Sequence, residues 1–114
     1  MELTKGSAFA HRVLDALALR SKVAMHNIAN QNTPGYKRYY VSFEEQLSAA
    51  SQKGKDIETV RPEVHRDDTG RPGVNNVSVY DEISMLEKVK LLHEIFTRKA
   101  GGHFSHMNKA IFGR

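Results

Sequence analysis

The chain has 114 residues, with 17 Lys and Arg against 13 Asp and Glu, six His, and neither Cys nor Trp. That length suits one domain, and no apolar run approaches the roughly 20 residues that cross a bilayer, which argues against a transmembrane protein. Without Cys there is no disulfide framework, no thiolate zinc site and no thiol nucleophile.

The opening residues Met1-Glu2-Leu3-Thr4-Lys5-Gly6 lack the basic-then-apolar pattern of a cleavable secretory signal. The net charge of +4 is split, with +2 in residues 1–36, zero in 37–77 and +2 in 78–114. A nucleic-acid reader concentrates its positive charge on one face. Here only the stretch from Arg98 onward lacks acidic residues, and cations late in a helix also complement the helix dipole.

Ser7 to about Asn30 reads as a helix, free of Pro and Gly and rich in Ala and Leu. Val13, Leu17, Ala24 and Ile28 recur at helical spacing, with Phe9, Ala16 and Val23 widening the stripe. His11, Asp15, Lys22 and His26 lie on the other side. Thr33-Pro34-Gly35 stops this helix, since Pro disfavours helical geometry before it and Pro-Gly suits the centre of a type II turn.

The middle, Tyr36 to Val77, is irregular. Ser42 and Glu45 form a capping-box pattern for a short helix bearing Phe43, Leu47 and Ala50. Residues 67–73 read as a turn, with short extended pieces expected on either side and no sheet larger than a hairpin.

A second long helix begins near Ser78, with Asp81 and Glu82 in its first turn. Met85, Val89, Leu92 and Phe96 run at spacings of four, three and four, and Leu86, Leu91 and Ile95 widen the arc to about 220°. One partner helix covers less than that. Gly101-Gly102 interrupts the helix, and Phe104, Met107 and Ile111 mark a last amphipathic stretch. The expected fold is mainly α. Two long terminal helices pack antiparallel, as a helical hairpin or coiled coil in an assembly, around an irregular middle with a short helix and a small β-hairpin. Three parts follow: residues 1–36, 37–77 and 78–114.

Catalytic signatures are missing. There is no Walker-type loop, G-x-S-x-G or H-E-x-x-H. His103 and His106 make at most a two-ligand metal site, and Asp67-Asp68 reads as a solvated turn. No enzyme, cofactor or metal is expected. Asn27, near the apolar stripe, has two readings: a fraying helix end, or a polar residue that fixes register at a packed seam.

The stretch His26-Asn27-Ile28-Ala29-Asn30-Gln31-Asn32-Thr33-Pro34-Gly35-Tyr36-Lys37 resembles the hallmark of bacterial flagellar rod and hook subunits, N-I-A-N-x-x-T-P-G-Y. The run Ala16 to Arg20, Phe43, Asn75-Asn76-Val77, Asp81-Glu82 and Phe104 with Ala110-Ile111 are similar to the proximal-rod branch of that family. Ser78, where that branch usually carries an acidic residue, the doubled glycine and the short middle depart from the pattern and leave room for a neighbouring rod member.

The resemblance implies a structural subunit of the periplasmic rod, exported through the flagellar type III apparatus without a cleavable signal. Its terminal helices would pack with copies of itself and with other rod subunits. Further implied partners are a basal-body ring adaptor protein and the export gate. Asn27, Ile28, Asn30, Thr33, Pro34, Gly35 and Tyr36 would form the assembly and turn motif, with Tyr39 and Tyr40 adding aromatic contact area. Phe9 and Val13 resemble the Phe-x-x-x-apolar export signal, and equally fit two core positions one helical turn apart. Two rival readings are a small basic helical protein that binds nucleic acid and a helical adaptor that folds on a partner.

Overall fold

The computed structural model of the chain describes residues 5–54 and 56–99. Helix α1 spans Lys5–Ala29 and helix α3 spans Val79–Lys99. They run antiparallel, since Phe9 near the start of α1 meets Phe96 near the end of α3, ring centroids 6.3 Å apart. Phe9, Val13 and Leu17 pack with Val89, Leu92 and Phe96 in one core, with Met85 at its margin. Ala24 is buried beyond it, whereas Ile28 is half-buried and Asn27 takes the last buried place on that row.

Strand β1, Tyr39–Ser42, pairs antiparallel with β2, Glu63–Arg66, in the register Tyr39 to Arg66 and Ser42 to Glu63. Between the strands lie helix α2, Glu44–Gln52, and a 3₁₀ turn at Ile57–Thr59. The two-stranded sheet therefore brackets α2 rather than the 67–73 turn, and residues 74–78 form no strand. The cause is the core. Val41, Phe43 and Leu47 are buried against α1, with Ile57 and Val60 packed beside them, while residues 67–74 bury no apolar side chain.

The capping box at α2 does not form. The residue before the helix is Phe43, which makes no side-chain cap. The Ser42 hydroxyl instead lies 3.1 Å from His65 Nε2 across the sheet and accepts a hydrogen bond from Gln46 Nε2 at 3.2 Å. Ser42 closes the strand, and the two first-turn acids Glu44 and Glu45 face the helix dipole in its place. At α3, Ser78 does start the helix, its Oγ accepting from Asp81 N at 3.4 Å.

The wide apolar arc of α3 is only partly covered. Leu91 stays 59% exposed and Ile83 46%, and Leu86 and Ile95 are half-buried. Phe104, Met107, Ile111, His103, His106 and the doubled glycine lie outside the described residues.

Candidate functional site

The motif that ends α1 folds into a polar joint between α1, β1 and the strand-free segment before α3. At its centre is Asn27, fully buried. Its Oδ1 accepts from Tyr39 N at 2.9 Å and from the Tyr36 hydroxyl at 2.9 Å, while its Nδ2 donates to Tyr39 O at 2.8 Å. One carboxamide thus satisfies both main-chain groups of Tyr39, as an antiparallel strand partner does. Burial, then the neighbouring Tyr39 and Glu82, push the Tyr36 phenol above its ordinary pKa and keep it a donor. With that proton committed to Asn27, His26 Nδ1 at 3.0 Å must be the protonated nitrogen to bond the hydroxyl.

The turn has the expected geometry. Tyr36 N donates to Thr33 O at 3.2 Å, and Gly35 has φ +75°, the left-handed value that a type II turn requires at its third residue. Asn30 ties this turn to the helix, donating from Nδ2 to His26 O at 2.9 Å and accepting from Thr33 Oγ1 at 3.0 Å. Ile28 contributes its carbonyl, which accepts from Gln31 N at 3.1 Å.

Three residues outside the motif complete the joint. The Asn75 side-chain amide donates to the carbonyls of Asn30 (2.9 Å), Gln31 (3.1 Å) and Thr33 (2.8 Å), in the turn that follows α1. Asn76 Oδ1 accepts from Arg38 N at 2.7 Å, and its Nδ2 donates to Asp67 O at 2.7 Å. Lys37 Nζ donates to Thr69 O and Arg71 O at 3.0 and 2.8 Å. A second Pro-Gly turn lies there, with Val74 N donating to Arg71 O at 3.2 Å and Gly73 at φ +75°.

Two arginines fasten the remaining elements. Arg20 on α1 grips both carboxylate oxygens of Glu44 at 3.0 and 2.8 Å, donates to Val41 O at 2.6 Å, and stacks 4.7 Å above the Phe43 ring. Burial pushes the Glu44 carboxyl up, but these hydrogen bonds and the Arg20 charge outweigh it and hold the group below the usual range. Arg38 on the approach to β1 reaches Glu82 Oε1 at 2.7 Å and Asp67 Oδ2 at 3.1 Å. Glu82 is only 2% exposed, so the first-turn acid of α3 is a buried ion-pair partner as well as a complement to the dipole. Asp67 is likewise no free turn carboxylate. Hydrogen bonds from Thr69, then Arg38, lower its pKa.

Tyr36 and Tyr39 face inward, half-buried and edge-on at 6.1 Å, and only Tyr40 of the three is exposed. Phe9 and Val13 are both fully buried. Among the described residues no group of three or more His, Cys, Asp or Glu is placed to hold a metal, and no helix is long and apolar enough to cross a membrane.

No protein-family model matches the chain. Curated relatives do. A flagellar basal body rod protein FlgB of Aquifex aeolicus is 29% identical over 122 aligned positions, covering 100% of this chain and 98% of the relative. The FlgB of Borreliella burgdorferi is 28% identical, covering 88% and 90%, and that of Bacillus subtilis 27% identical, covering 83% and 84%. Over most of its length the chain is similar to FlgB flagellar basal body rod proteins. The alignment with the Borreliella relative runs over 123 positions but takes in 88% of this chain, so this chain is the shorter of the two across the match.

The sequence alone missed Arg20, Arg38, Asn75, Asn76 and Glu82 as parts of the joint. Arg20 and Asn27 fall on the same helical row as Val13, Leu17 and Ala24, and Glu82 on the row of Met85, Val89, Leu92 and Phe96. A polar group on an apolar row was the available signal.

Proposed function

We propose that the chain is a structural subunit of the proximal flagellar rod, exported through the flagellar type III apparatus and built into the periplasmic part of the basal body for motility. The full-length similarity to FlgB proteins carries this reading. Residues 1–36 and 78–114 serve as the helical core of the subunit, and residues 37–77 as its outer contact layer. Val13, Leu17, Ala24, Met85, Val89, Leu92 and Phe96 hold the helices together. The motif Asn27, Ile28, Asn30, Thr33, Pro34, Gly35 and Tyr36 sets the angle at which the chain leaves α1.

Its neighbours are copies of itself, other rod subunits and a basal-body ring adaptor protein. Phe9 and Val13 dock on the export gate before folding, since the folded chain buries them. Deleting the gene in the source bacterium should abolish swimming and rod assembly, and complementation should return the chain to purified basal bodies. Normal rods without the gene would overturn the reading. For the export signal, Phe9→Ala should block secretion while Leu17→Ala, equally buried but outside the pattern, should not. Equal secretion of the two variants would remove the signal.

A further inference from the structure

Among the described residues, two of the exposed apolar surfaces outside the core and the polar joint lie on different elements. The first is a groove of about 340 Å³ between α1 and the sheet, lined by Leu19, Lys22, Val23, His26, Tyr39 and Val64. Val64 is 49% exposed at its rim. The second is the outer stripe of α3, where Tyr80, Ile83 and Leu91 are exposed and Glu87 lies four residues from each of Ile83 and Leu91.

The two surfaces match in spacing and in charge. The groove follows α1 from Leu19 to His26, about 10 Å, and Ile83 to Leu91 spans about 12 Å along α3. Lys22 lies midway along the groove, as Glu87 does between its two apolar neighbours. Among the described residues neither Lys22 nor Glu87 makes an ion pair within the chain. Exposed apolar patches of this kind mark interaction sites, and a contact between two different patches of one molecule leaves each copy with a free patch of either kind. Repeated, it generates an open helical array rather than a closed dimer.

We propose that α3 of one copy docks through Ile83, Glu87 and Leu91 into the α1–sheet groove of the next, with Glu87 paired to Lys22. This rests on the reading of the chain as a rod subunit and names the contact between its copies. The absence of Cys from the sequence gives a clean background for crosslinking. A chain carrying both Val64→Cys and Leu91→Cys, expressed in place of the natural gene, should form disulfide-linked multimers of itself in oxidised basal bodies, and neither single variant should. Lys22→Glu alone should lower incorporation at least several-fold, and Lys22→Glu with Glu87→Lys should restore it.

Basal bodies that contain the chain but show no such crosslink, or a crosslink only to another protein, would overturn the proposed contact. So would failure of the charge exchange to rescue a stably produced chain. Absence of the unmodified chain from basal bodies would instead overturn the rod reading itself.

Discussion

Replacing Asn27 with Ala removes the three hydrogen bonds of a fully buried carboxamide. The half-buried Tyr36 hydroxyl can turn its proton to water, so the cost falls on the N–H and C=O of Tyr39. Leaving a buried polar group unsatisfied costs about 1–3 kcal/mol. Tyr39 is half-buried, so water recovers part of that loss and the sum is about 3 kcal/mol. Asn30→Ala is the internal contrast. Its two bonds lie at the surface, and losing them should cost under about 1 kcal/mol. Urea denaturation followed by circular dichroism measures both. Asn27→Asp should be nearly as damaging at neutral pH, because a carboxylate oxygen would then face Tyr39 O. That penalty should shrink as pH falls and the acid becomes a donor. If Asn27→Ala costs no more than Asn30→Ala, the joint does not depend on the clamp.

Arg20→Ala should cost about 2–3 kcal/mol through the lost fork on Glu44, the Val41 bond and the stacking on Phe43, and Arg20→Lys should recover less than half of it in the same urea titration. Because Glu44 has a lowered pKa in the fold, its contribution is present at neutral pH and is lost as pH drops below the ordinary value of 4.5 and on through the folded value. Glu44→Gln should therefore flatten that acid limb of the stability profile. Gly35→Val should impair rod incorporation and swimming, since a β-branched residue resists φ +75°. A Cβ there meets nothing closer than Gly73 O at 3.6 Å, so the penalty is conformational and Gly35→Asn should be tolerated. Asn75→Ala should lower stability by about 1–2 kcal/mol by exposing the carbonyls in the turn after α1, read from the urea midpoint.

Both long helices and the turn between α1 and β1 were legible because their causes are local. Ala- and Leu-rich periodicity makes a helix, and Pro34-Gly35 ends it wherever the rest of the chain lies. The joint was not legible, because its bonds join residues far apart in sequence. Asn75 caps carbonyls 42 to 45 residues earlier, and Arg38 finds Glu82 44 residues later. Ser42 shows the reverse case. A sound local pattern for a cap lost to a tertiary partner, since pairing of β1 with β2 brings His65 to its hydroxyl. The strands were misplaced for a related reason: the buried Val41 and Phe43 beside α1 decide where the sheet forms, and turn chemistry at 67–73 does not.

The segment between β2 and α3 is held by donors from Lys37, Asn75 and Asn76, and nearly every acceptor they reach is a main-chain carbonyl. A carbonyl is the same whatever side chain its residue carries. Mutational tolerance along this stretch should therefore be lopsided. In a saturation scan scored by swimming, Arg71 and Gln31 should accept most replacements, while the three donors should accept almost none. The shape of this segment is encoded in a few donors, two within it and Lys37 ahead of β1, while residues that lend only a carbonyl are free to change.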